Sequence, residues 1–137
     1  MASSGKATFY LINKLLDHVF GGTVYTPPPT LYYALFTTVP AQDGTGGVEV
    51  SGTGYARKAM TDNTTLWPNA VAGVKTSGAQ VAFAAPGGSW GTALGYGIYD
   101  AASSGNLLTV TTLATGVPIS TGDPITINAG DMTITVG

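Results

Sequence analysis

At 137 residues the chain suits a single folding domain, spanning 1–137. Apolar residues make up 44% of it and charged residues only 9%, against about 25% charged in typical soluble domains. The apolar share excludes a disordered chain, and the lack of any run of about 18–20 apolar residues excludes a helical membrane span.

The formal charge of −2 comes from five Lys and Arg against seven Asp and Glu. Nucleic-acid binding needs clustered cations to displace counterions from phosphates. Arg57-Lys58 is the one adjacent basic pair, so no direct DNA or RNA partner is expected. The absence of cysteine removes disulfides, thiolate metal sites and cysteine nucleophiles. What remains is a folded protein with a surface of Ser, Thr, Asn, Gly and Ala. Such a surface is cheap to desolvate and suits close protein contacts.

In chain order, Met1 to Lys6 is small and polar and reads as a flexible N-terminal arm. The apolar stretch after it is broken by Asn13, Lys14, Asp17 and His18. It is therefore not a signal-peptide core, and synthesis in the cytoplasm of the producing cell is expected. Phe9, Ile12, Leu16, Val19 and Phe20 recur at helical offsets and predict an amphipathic helix within 7–21. Ser3 or Ser4 is the expected cap and Gly21-Gly22 the expected stop. The helix is expected to pack on its own sheet, with a place between subunits as the second option.

Pro27-Pro28-Pro29 forces a stiff connector. It leads into Leu31 to Thr38, which reads as a buried strand. Short strand-like runs then alternate with turns: Val48 to Val50, Tyr55 to Thr61, Ala79 to Ala85, Trp90 to Asp100, Leu107 to Leu113, Ile125 with Ile127, and Met132 to Val136. Within Trp90 to Asp100, alternation places Leu94, Tyr96 and Ile98 on one side. Ser103-Ser104-Gly105-Asn106 reads as a hairpin turn. The pattern predicts a mainly β fold: a β-sandwich over 30–137, of about 7–8 antiparallel strands.

Candidate chemistry is sparse. His18, the one histidine, has only Asp17 beside it, and adjacent helical residues do not face each other. Asp43, Asp62, Asp100, Asp123 and Asp131 all fall in turns, where the aspartate side chain bonds nearby backbone amides. Gly95-Tyr96-Gly97 lacks the third glycine and the following helix of a dinucleotide fingerprint. These glycines are expected instead to let the strand pass close to a neighbouring aromatic or backbone. No catalytic, cofactor or metal residue is assigned. Trp67 beside Pro68 is the expected exposed anchor at an interface. Ser3, Ser4 and Lys6 of the arm, and Arg57, complete the candidate interface set.

Several stretches carry a resemblance. They are Asn13 to His18 with Gly21-Gly22-Thr23; Tyr25-Thr26-Pro27; Leu31 to Thr38; Glu49 to Gly52 with Gly54 to Arg57; Trp90-Gly91-Thr92; Gly97 to Ala102 with Gly105 to Leu108; and Ala129-Gly130-Asp131. In this order, over nearly the whole chain, they resemble a family of small virion structural proteins of tailed bacteriophages. Some members are described as tail-fibre proteins and some resemble capsid cement proteins. The resemblance implies a jelly-roll-like sandwich on the outside of a particle, with no catalytic residues. It favours a capsid cement (decoration) protein on the outer capsid surface, with the major capsid protein as partner. A tail-fibre or baseplate component contacting host glycans is the alternative, and a small glycan-active enzyme a third reading. A homo-oligomer, taken as a dimer from base rates, is expected.

Overall fold

The computed structural model describes residues 3–137. Its elements run β1 (Ser3–Ala7), α1 (Phe9–Val19), β2 (Thr30–Thr38), β3 (Val48–Glu49), β4 (Lys58–Thr61), β5 (Lys75–Thr76), β6 (Val81–Ala82), β7 (Gly91–Tyr99), β8 (Leu107–Ile119), β9 (Thr126–Ile127) and β10 (Met132–Thr135). The fold is mainly β with one helix, as the sequence predicts.

The sandwich is uneven. Eight strands form one sheet in the order β3-β2-β7-β8-β1-β10-β5, with β4 sharing the β2 edge with β3. β6 and β9 form a separate two-stranded ribbon. The ribbon adds Val81 and Ile127 to the core that Leu31, Tyr33, Leu35, Tyr96 and Ile98 build from the sheet. The pairs are antiparallel except β1 with β10, which are parallel. A parallel pair needs a long crossover, and here nearly the whole chain lies between the two strands.

Residues 3–6 are not a flexible arm. They lie between β8 and β10 in the sheet, with Gly5 opposite Thr111 on one side and Ile134 on the other. Pairing on both edges satisfies backbone groups that an arm would leave to water. The helix cap accordingly moves to Thr8, whose hydroxyl accepts from the Leu11 N–H and donates to the Leu107 carbonyl at 2.6 Å. The stop is where the sequence puts it: Gly21 and Gly22 both have positive φ, which glycine adopts without steric cost.

β7 corrects one alternation. Tyr96 and Ile98 are buried, but Leu94 is exposed and Ala93 takes the inward place. The β7–β8 register shifts between Ala93 and Gly95, and a bulge there reverses which residues face inward. The two glycines of β7 do what close approach requires. Gly95 and Gly97 lie opposite Phe36 and Ala34. A Cβ on Gly97 would come within 2.7 Å of the Thr109 carbonyl and 3.0 Å of the Phe36 ring. The β7–β8 connection is a longer loop, 100–106, closed by the Asp100 N–H on the Asn106 carbonyl at 3.2 Å, and it carries Ser104 and Gly105 at positive φ.

Candidate functional site

Chemistry-bearing side chains gather where β3 and β4 meet the edge of β2. β4 pairs with Thr30 to Tyr33, and β3 with Phe36 and Thr38. The Leu35 N–H between them donates to the Tyr55 hydroxyl at 3.1 Å. That hydroxyl donates in turn to Glu49 Oε2 at 2.7 Å. Arg57 forks onto the same carboxylate, Nη2 to Oε1 at 2.9 Å and Nε to Oε2 at 3.0 Å. Its Nη1 donates to the Ala101 and Ser104 carbonyls at 2.9 and 2.8 Å. The guanidinium carbon lies 3.6 Å from the centre of the Tyr99 ring. One cation thus ties β3, the β3–β4 loop and the β7–β8 turn together.

The Arg57 side chain is only 8% exposed and Glu49 26%. Burial by itself weakens the Arg57 charge, but the hydrogen bonds and charge of Glu49 outweigh it and the guanidinium pKa is raised. Burial, then the bond to Glu49, pushes the Tyr55 phenol up. Burial also raises Tyr99, with Arg57 opposing. An arginine held in this way is a structural clamp.

The candidate interface residues do not form one surface. Trp67 is buried, and its indole N–H donates to the Tyr33 hydroxyl at 3.1 Å. Beside a proline in a turn-rich stretch it looks exposed, but Asn63 folds that stretch inward by accepting from the Thr65 and Leu66 N–H groups. Pro68 is exposed. Ser4 and Lys6 are exposed on β1, alternating with buried Gly5 and Ala7. The side chain of Ser3 lies outside the described residues. Arg57 faces inward for the reasons just given.

Three of the turn aspartates bind their own turns. Asp43 accepts from the Thr45 N–H and hydroxyl, Asp100 from the Asn106 N–H and side-chain amide, and Asp123 from the Ser120 N–H. His18 is exposed, and its Nδ1 accepts from the Tyr25 N–H at 3.2 Å, folding the post-helix chain back. Among the described residues no group of three or more His, Cys, Asp and Glu could hold a metal ion.

Among the hollows lined by the described residues, one is apolar and one polar. An apolar groove of about 760 Å³ runs between Leu11, Leu15, Tyr25, Pro28, Trp67 and Ile134, with Asp62 and Lys75 at its wall. A smaller polar hollow of about 450 Å³ borders Tyr10, Asp43, Arg57, Tyr99 and Asn106.

The helix departs furthest from expectation. None of its residues is buried. Phe9, Leu16, Val19 and Phe20 are 51%, 50%, 67% and 76% exposed. The predicted apolar stripe points into water, not onto the sheet. The first turn is held by Thr8 and by the Phe9 N–H on the Gln42 carbonyl. Tyr10 and Leu11 touch the core. The stripe itself was legible from periodicity; its direction was not.

Fold and site together define a mainly β module whose best-organised polar groups hold its own loops, and whose helix shows an apolar face to the outside. A protein family described as Podophage GP4 fiber I protein gp80 matches this chain over residues 6–135, and the chain belongs to that family. It is therefore a bacteriophage structural protein, a component of the virion. Among curated proteins, none matches the chain.

Proposed function

We propose that the chain is a non-catalytic fibre component of a tailed bacteriophage, part of the apparatus that attaches the particle to its host. The match over residues 6–135 to a family described as a fibre protein carries this reading. It supports the fibre alternative over the capsid cement role that the sequence resemblance favours, because the family description names a fibre and not a shell protein. The surface is compatible with the proposal. Few charges face water, so protein neighbours dock with little desolvation. A module whose loops are pinned internally loses little entropy on assembly. The partners are then other virion proteins, with no cofactor, nucleic acid or lipid required.

The test is localisation. Gold-labelled antibody against the chain, applied to intact particles, should mark the tail region. Quantitative mass spectrometry should find few copies per particle. Label spread over the head with hundreds of copies overturns the fibre reading in favour of cement.

A further inference from the structure

We infer that the exposed face of α1 is a self-association surface, covered in the assembled protein by α1 of a second copy of this chain. The inference is independent of where on the particle the protein sits.

Spacing is the first ground. Phe9, Ile12, Leu16 and Val19 follow one another at steps of three, four and three. That is the stripe of an amphipathic helix, and its spacing also fits the a/d positions through which two helices can pack. Among the described residues α1 is the only helix, so this chain offers no internal partner for its seam. A second copy offers the same seam.

Charge is the second ground. In this register the flanking e and g positions are Asn13, Leu15 and Phe20, all uncharged. Lys14, Asp17 and His18 fall on the outer positions. Flanking like charges are a common device against self-pairing, and none is present here. A net charge of −2 adds little long-range repulsion.

Area is the third ground. Phe9, Leu16, Val19 and Phe20 are half or more exposed. They leave roughly 400 Å² of apolar side chain in water per copy, taking about 150–250 Å² for each bare large side chain. Two such faces meeting remove about 800 Å², and the mostly covered Ile12 adds a little to this, against the ~1,000 Å² typical of a specific interface. An isolated helix of 11 residues is too short to hold a stable seam alone. Here its first turn is fixed to the sheet by Thr8, so pairing needs no helix nucleation.

Sedimentation equilibrium of the full chain tests the inference. Wild type should associate reversibly, and Leu16→Glu and Val19→Glu should each weaken association at least about tenfold. Lys14→Glu, on the outer face, should leave it unchanged. Far-UV circular dichroism and thermal melting check that each variant is folded. Hydroxyl-radical footprinting of wild type gives a readout without substitution: Phe9, Leu16 and Phe20 should be less reactive in concentrated than in dilute solution. A wild type that stays monomeric up to about 100 µM, a hundred times a ~1 µM Kd, overturns the inference. So does association that leaves those three residues fully reactive, since another face is then used.

Discussion

Replacing Arg57 with methionine keeps most of the side-chain stem and removes the charge and every donor. In the folded protein this strips Glu49 of a forked partner, leaves the Ala101 and Ser104 carbonyls without their side-chain donor, and takes the cation off Tyr99. Breaking a buried ion pair costs about 3–5 kcal/mol. Glu49 keeps 26% of its side chain in water, which recovers part of that, so the expected loss is about 3 kcal/mol. At this chain length that lowers the melting temperature by roughly 10 °C. Urea unfolding followed by fluorescence of Trp67 and Trp90 measures it, and an unchanged m-value shows that the native state is otherwise intact. Arg57→Lys should recover little, because an ammonium cannot make the fork and reach both carbonyls. With Glu49→Gln the double-mutant cycle should show coupling above about 1 kcal/mol. A loss below about 1 kcal/mol for Arg57→Met, the range of exposed pairs, would show that the clamp is not structural and would return Arg57 to the surface role its sequence suggests.

Gly97→Ala should cost about 2–3 kcal/mol in the same urea assay, since its Cβ meets the Thr109 carbonyl, Leu107 and the Phe36 ring at 3.0 Å or less. Thr8→Ala should cost about 1–2 kcal/mol, with helical circular dichroism lost before the sheet signal, because the helix loses both its cap and its tie to Leu107. Burial raises the Asp62 pKa, with Lys75 opposing. Its folded value lies above its unfolded one, so its contribution is fully present below about pH 3.9 and lost as pH rises through the folded value. Asp62→Asn should therefore stabilise by a few tenths of a kcal/mol at pH 7, the small size reflecting solvent screening. Urea melts at pH 3 should show that gain gone.

Much of the fold is legible from local chemistry because its signals are local. Gly21-Gly22 stops the helix through backbone freedom alone, and the run from Leu31 to Thr38 becomes β2 with a one-residue difference. Ser3 to Ala7 fails for the opposite reason. SSGKA has no hydrophobic alternation, and it becomes a strand because Val110, Thr111 and the Met132 to Thr135 segment offer edges on both sides. That is a non-local cause, about a hundred residues away in sequence. Leu94 fails because a bulge cannot be seen in a period of two. Trp67 and Arg57 share one error. Turn composition around a residue says where the backbone turns, not which way a large side chain points. The Glu49, Tyr55 and Arg57 cluster lies within a few residues of sequence, yet nothing local shows that β2 needs Tyr55 to occupy the Leu35 N–H.

The low charge content has a sharper consequence once Arg57 and Glu49 are placed. They are among only twelve formally charged side chains, and they spend their charge on each other and on loop carbonyls. The outer surface is therefore less charged than the composition suggests. Asp43, Asp100 and Asp123 stay near water but direct their oxygens at their own turns. The helix stripe is then a prominent apolar feature of the outside, with Phe20 at 76% and Val19 at 67% exposure. On a surface short of charge, little opposes the meeting of two such stripes. A stripe of this kind would be a liability on a protein built to stay single; under the proposed self-association it is the surface that one copy offers the next.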